Sequence, residues 1–287
     1  MQAQVNSLLQ QTWPNIEIII SDDCSDDETK AILQQYENDV KFYITYQQKN
    51  IGAIQNFAFA TAQAKGEYIA FCDQDDIWLP EKIEKLFNAI GDQWLVYSDS
   101  ILINEEGQSL QKNLSQLRRM YSGNDSRGFI FSNVVWGHAI LVNKQLIHHA
   151  LPIPAHIPHD IWFAVKATIL TGIRYFDEPL TLYRQHAKTV TTTIAQKAIT
   201  RPHEKRYRDF EDKLYWIGLL RDQQNGGQNS FYEELYCLYS EKEKGSFVWP
   251  LFFFMLKHQA VLFQFTNKNL LSRIIEICKQ CRGEQLS

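Results

Sequence analysis

Apolar residues along this chain fall into short runs of strand length, separated by segments with helical spacing. Val5 to Gln11 places Val5, Leu8 and Leu9 on one helical face. It stops by the Trp13-Pro14 step, where the residue before proline is steered out of helical geometry. Ile16 to Ile20 is a β-branched run that predicts a buried strand, delivering Ser21-Asp22-Asp23 at its end. Ser25 and Glu28 have capping-box spacing and open a predicted helix from Asp26 to Tyr36. Lys41 to Tyr46 reads as a strand, Asn50-Ile51-Gly52 as a turn, and Ala53 to Ala64 as a helix ended by Gly66. Tyr68 to Cys72 is the next buried strand; a helix from Pro80 to Ile90 and a strand from Trp94 to Ser98, ending at Asp99, follow. Strands alternating with helices of this length predict a parallel, three-layer α/β sheet.

The pattern then loosens. Glu105 to Gly128 is polar, contains Arg118, Arg119 and Arg127, and reads as a long loop of the kind that serves as a lid or acceptor-binding segment. Phe129 to Val142 returns to apolar residues around Trp136-Gly137-His138. Pro152, Pro154 and Pro158 mark an extended connector, after which His159-Asp160 opens an amphipathic helix to Leu170. Tyr175 to Arg184 reads as a strand pair interrupted by Pro179. Arg201 to Arg221 is charged and helical, and Gln223 to Ser230 is a polar linker. Phe247 to Phe265 is rich in aromatic residues, but Pro250, Lys257 and His258 leave it short of a membrane span. It suits an interfacial helix resting on a membrane, helped by Lys257, Lys268 and Arg273, and equally a helical subdomain packing its aromatic residues inward.

The chemistry concentrates in Gly66 to Pro80. Three carboxylates, Asp73, Asp75 and Asp76, follow the Tyr68 strand within four residues. At the carboxyl end of a strand in an α/β sheet they would stand at the rim where ligands bind. Packed this closely they repel one another, and Mg²⁺ or Mn²⁺ bridging them to phosphate oxygens would relieve that repulsion. The same residues also suit a solvated acidic turn, with Pro80 opening the next helix. Asp22 and Asp23 end an earlier strand, so both acidic groups are expected at one rim. A formal net charge of −4 supplies no basic footprint for nucleic acid. The 287 residues, 45% hydrophobic, can bury a sizeable core. Five scattered cysteines and no charged-then-apolar stretch at Met1 to Trp13 suit a reducing cytoplasm. Cys278 and Cys281 form a CxxC without the second pair that zinc needs.

Five segments in order resemble the bacterial family 2 glycosyltransferases with the GT-A fold. They are Ile18 to Thr29 (IIISDDCSDDET), Asn50 to Ile83 around CDQDDIW, Val96 to Ser100 (VYSDS), His159 to Ala167 (HDIWFAVKA) and Glu178 to His186 (EPLTLYRQH). The HD and YRQH pieces are most similar to rhamnosyltransferase-like members that build O-antigen or capsule. The resemblance implies a GT-A glycosyltransferase domain over residues 1–193, a Rossmann-like α/β sheet, followed by a helical C-terminal extension over 194–287. It implies an inverting enzyme at the cytoplasmic face of the membrane. Its partners would be a dTDP- or UDP-linked sugar and a glycan or lipid-linked acceptor.

The same resemblance distributes roles. Asp22, Asp23, Asp73, Asp75 and Arg184 would bind the nucleotide sugar; Asp75, Asp76 and His186 would hold the metal; Asp160 would be the general base, with His159 a weaker candidate. Asp22 and Asp23 also suit a turn, Asp160 a helix N-cap, Arg184 and His186 a strand end, and Trp136 to His138 either acceptor binding or packing. Family members begin with an apolar strand and a nucleotide-cradling turn, whereas the stretch from Met1 resembles the helix after them. That strand is expected to be absent here, leaving two unpaired edges and a weakened nucleotide pocket. A non-catalytic homologue that binds or scaffolds is the alternative. Receiver and haloacid-dehalogenase patterns match the acidic groups poorly.

Overall fold

The computed structural model describes residues 1–185, 203–223 and 228–284. Two compact units divide the chain: Met1–Asn124 with Val134–His186, and Asp125–Asn133 with Ala187–Ser287.

The first unit opens with α1 (Gln2–Leu9), β1 (Ile18–Asp22), α2 (Thr29–Gln34), β2 (Phe42–Tyr46), α3 (Ala53–Gln63) and β3 (Tyr68–Ala70). These are the alternating elements that hydrophobic period predicts; α2, β2, α3 and β3 are shorter than expected, α1 starts three residues earlier and β1 runs on to include Asp22. β1 and β2 pair in parallel from Ile18 opposite Phe42 to Asp22 opposite Tyr46. Among the described residues β1 pairs with β2 alone and β3 with a later strand alone. Ile18, Ile20 and Ala70 nevertheless share one apolar cluster with Val5, Leu8 and Trp78.

The expectation of a parallel sheet is corrected beyond this point. After the acidic turn come β4 (Ile77–Trp78), α4 (Lys82–Ile90), β5 (Leu95–Ile103), β6 (Ser109–Asn113), α5 (Leu114–Leu117), β7 (Ile140–Asn143), α6 (Lys144–Ala150), α7 (His159–Leu170) and β8 (Ile173–Arg184). The second sheet has six strands in the order β3-β7-β5-β8-β4, with β6 on β5, and only β5 and β8 run parallel. The reason lies in the connections: parallel neighbours need long crossovers, whereas β6 returns on β5 through a hairpin that turns at Gly107, φ +83°.

Three further expectations change. The strand from Trp94 continues past Asp99 to Ile103 and is buried almost throughout, so Asp99 sits within it. The polar stretch from Glu105 contains β6 and α5, because Asp99 accepts hydrogen bonds from Ser115 N at 3.1 Å and Ser115 Oγ at 2.6 Å and pins the returning chain. Tyr175 to Arg184 is one strand; Pro179 is accommodated at a register shift opposite Asp99, where a ladder donor is not required.

The second unit is helical: α8 (His203–Asp222), α9 (Asn229–Ser240), α10 (Trp249–Lys257), α11 (Gln259–Leu262) and α12 (Leu270–Gln280). The Phe247 to Phe265 stretch is therefore broken at His258, and Leu251, Phe254, Met255, Leu262, Phe263 and Phe265 are buried. Tyr232 and Leu235 of α9 and Ile277 of α12 are buried in the same unit. Among the described residues no helix is long and apolar enough to cross a membrane. Cys278 and Cys281 are free thiols.

Candidate functional site

The acidic turn from Asp73 to Asp76 is held at both ends, by β3 before it and by β4, which pairs Ile77 and Trp78 with Leu182 and Thr181 of β8. Two residues on along β8, Arg184 closes the turn. Its backbone N–H donates to Asp76 Oδ1 at 2.9 Å, and its Nε donates to the Asp75 carbonyl at 2.9 Å. Its Nη1 donates to the carbonyls of Asn104 at 3.0 Å and Glu105 at 2.6 Å. The planar fork thus ties the acidic turn to the hairpin beyond β5, a use of arginine that holds geometry. His186 lies outside the described residues.

A histidine from far along the chain completes the cluster. His138 follows Trp136-Gly137 just before β7, is buried, and stacks on Tyr183 at 4.3 Å between centroids. Its Nδ1 lies 3.9 Å from Asp73 Oδ2 and 3.5 Å from Asp76 Oδ2, and its Nε2 meets Ser100 Oγ at 3.0 Å. Asp73, Asp76 and His138 can each offer one ligand atom within 4.8 Å of the others. Asp76 Oδ2 is buried and lacks a hydrogen-bond partner. Burial, with Lys82 nearby, holds His138 far below its ordinary value, so the imidazole is neutral.

Lys82 is the residue that sequence reasoning missed. It lies in the first turn of α4, is fully buried, and donates to the His138 carbonyl and to Thr181 Oγ1 at 2.9 Å, over the Trp78 ring. Burial pushes Asp76 up and Lys82 down, while their opposite charges favour each other's ionised form. Burial and then the Asp75 carboxylate push Asp73 up as well. Nothing in the Pro-Glu-Lys run marks Lys82 as buried; that follows from strands some 100 residues later packing over it.

Asp160 occupies the first turn of α7, whose N-cap is Pro158, and its Oδ1 accepts from Ile161 N at 2.7 Å. The helix start is docked through His159, which lies against Phe57 at 4.1 Å, Phe71 at 5.1 Å and Phe163 at 6.1 Å. Phe71 leads directly into the acidic turn. Gly137 fits against this corner because it lacks a side chain: a Cβ there would come within 2.7 Å of His159 Nε2 and 3.8 Å of Asp160 Cβ. One short turn therefore touches the Asp160 helix through Gly137 and the acidic cluster through His138.

The buried His159 ring gives a pH signature. Its Nε2 has no hydrogen-bond partner, and burial pulls its pKa down from 6.5 to about 4. The unfolded chain therefore binds the extra proton in the window from 6.5 down to about 4 while the fold does not. Stability should fall as pH drops through that window, by up to about 3 kcal/mol. Urea unfolding at several pH values should show this slope, flattened in His159→Phe, which suits the aromatic pocket; an equal slope in the variant would assign it elsewhere.

Asp22 and Asp23 serve the other sheet. Asp22 is buried at the end of β1, and its Oδ2 meets Ser25 N at 3.3 Å. Asp23 accepts from Ile51 N at 2.7 Å and Gly52 N at 2.9 Å, which sets the turn ahead of α3. The cluster of possible ligand atoms thus joins Asp73 and Asp76 with His138, while Asp22 and Asp23 are fixed by their own loop contacts.

A family model described as glycosyl transferase family 2 matches residues 2–151. A putative teichuronic acid biosynthesis glycosyltransferase, TuaG of Bacillus subtilis (strain 168), is 39% identical over 111 residues, covering 38% of this chain and 44% of that relative. The chain thus spans under half of that relative's length. Among solved structures, S. aureus TarS 1-349 in complex with UDP-GlcNAc superposes with TM-score 0.59 at 16% identity, over 90% of this chain and 76% of that one. The mannosyltransferase PcManGT from Pyrobaculum calidifontis, in complex with GDP-Man and Mn²⁺, gives 0.51 at 12% identity, over 95% and 73%. At these identities the structural likeness is one of fold.

Proposed function

The chain belongs to glycosyl transferase family 2, and from that premise we propose an inverting, divalent-metal-dependent transfer of a sugar from a nucleotide diphosphate to a glycan or lipid-linked acceptor. The observation that carries this reading is the meeting of Asp73, Asp76 and His138 at one turn whose neighbouring Gly137 abuts Asp160. The relative's teichuronic acid role supports a cell-surface polysaccharide as product. TarS bound to UDP-GlcNAc and PcManGT bound to GDP-Man share the fold and support a nucleotide-diphosphate sugar as donor, with UDP- and dTDP-linked sugars both candidates.

The residues present fit Mg²⁺ or Mn²⁺. Carboxylate oxygens suit these hard cations, Asp76 Oδ2 is an orphaned acceptor, and the Ser100 hydroxyl can accept a hydrogen bond from the N–H of the imidazole's other nitrogen. Asp73, Asp76 and His138 would hold the ion, with Asp75 on the same turn. When bound it would neutralise charge developing on the diphosphate leaving group. Arg184 holds the acidic turn in place by donating its backbone N–H to the Asp76 carboxylate and its Nε to the Asp75 carbonyl. Asp160 takes the acceptor hydroxyl's proton as that oxygen bonds to the anomeric carbon and the diphosphate departs with its electron pair.

Calorimetric titration with UDP and with dTDP, each with and without Mn²⁺, tests this reading. Binding should require the metal, and Asp75→Ala should weaken it about ten- to hundred-fold. Equal affinity with and without Mn²⁺ would sink the metal role. Metal-dependent binding without turnover on any lipid-linked acceptor would favour a binding homologue.

A further inference from the structure

We propose that α10 and α12 form a docking face for an anionic lipid bilayer. Five large apolar side chains of this pair are exposed: Trp249 at 60%, Phe253 at 60%, Leu270 at 58%, Leu271 at 67% and Ile275 at 50%. They follow helical spacing. Trp249, Phe252, Phe253 and Leu256 form one stripe on α10, and Leu271, Ile274, Ile275 and Cys278 form a second on α12. The two helices are coupled, since Val248 N at the start of α10 donates to the Cys281 carbonyl at the end of α12 at 2.9 Å. The opposite faces are spent on the unit's own core through Leu251, Phe254, Met255 and Ile277. Aromatic rings at 4.8 to 6.3 Å from one another link Phe247, Trp249, Phe252 and Phe253 into one surface.

Charge selects the occupant. In a chain of formal net charge −4, Ser246 to Gly283 carries Lys257, Lys268, Arg273, Lys279 and Arg282 against the single acid Glu276. Glu276 is itself paired with Lys268 at 3.1 Å. A positive segment bearing exposed Trp, Phe and Leu matches an interface with anionic headgroups, where aromatic residues settle at the acyl boundary and basic residues reach the phosphates. Two copies of so basic a face would repel each other. None of these residues belongs to the proposed transfer site, so docking and transfer can be assayed separately.

The test is sedimentation of the full chain with vesicles of phosphatidylcholine alone or doped with phosphatidylglycerol. Binding is expected to the doped vesicles and to fall about ten-fold in roughly 0.5 M NaCl. The triple variant Phe253→Ser, Leu271→Ser, Ile275→Ser should weaken it about ten-fold or more, with circular dichroism unchanged. Lys257→Gln with Lys279→Gln leaves the apolar stripes intact and should weaken binding to doped vesicles alone, which keeps the idea open to refutation if the triple variant misfolds. Absence of binding by the folded chain, or binding that neither variant weakens, overturns it. So does a concentration-dependent dimer that the triple variant disperses in a chain that ignores vesicles, which would assign the face to a second copy.

Discussion

Asp160→Asn is expected to leave donor-nucleotide affinity within about two-fold of wild type and to lower sugar transfer by about 10²- to 10⁴-fold, the usual reach of a positioned general base. The amide is nearly isosteric with the carboxylate and can still accept from Ile161 N, so the first turn of α7 should persist. What it loses is the capacity to take a proton from an acceptor hydroxyl. Calorimetry with UDP and Mn²⁺ and a radiolabelled transfer assay separate the two effects. A fall in nucleotide affinity as large as the fall in rate would mean that Asp160 builds the donor site. Transfer within about ten-fold of wild type would move the base elsewhere. In the first turn of α7 the Asp160 charge also contributes a helix-terminus effect of about 0.3–1 kcal/mol, too small to imitate the expected rate loss.

Lys82→Met should cost about 3–5 kcal/mol of stability, the scale of removing one partner from a buried set of charges. The stem of the side chain is retained, so the loss isolates the ammonium. Its departure leaves the His138 carbonyl and Thr181 Oγ1 without their donor and leaves the buried Asp76 carboxylate beside Asp73 with its opposing charge gone. Urea unfolding reads the loss directly. Adding Asp76→Asn to the variant should recover part of it, since the double substitution removes the uncompensated acid along with the cation. A single-variant loss below about 1 kcal/mol, or a double variant simply additive, would show that Lys82 does not balance the acidic turn.

How far the sequence alone reached differs between parts of the molecule. Alternation and helical period located β1, β2, α3, β3 and α7, because burial of one face of an element leaves its period in the chain. Periodicity identifies a face without naming its partner, and the sheet shows the cost. β7 and β8 join β5 from opposite sides in opposite directions, and the polar stretch taken for a loop folds into β6 and α5 once Asp99 is buried against Ser115. For Phe247 to Phe265 aromatic density left an interfacial helix and an inward-packing helical subdomain equally open; in the structure Phe254, Phe263 and Phe265 fill the second unit while Trp249 and Phe253 stay exposed.

By itself the sequence determined that an acidic turn follows a buried strand, that a second acidic pair ends an earlier one, and that Asp160 opens a helix. Covalent neighbours and a single period suffice for each of these. Only the tertiary structure decided that His138 faces Asp73 and Asp76, that Arg184 divides its donors between the acidic turn and the hairpin beyond β5, and that Lys82 is sealed beneath them. Those pairings join residues tens of positions apart through strand register and ring packing. Which long-range partner excludes water from a charge is a property of the packed whole, and no local pattern encodes it.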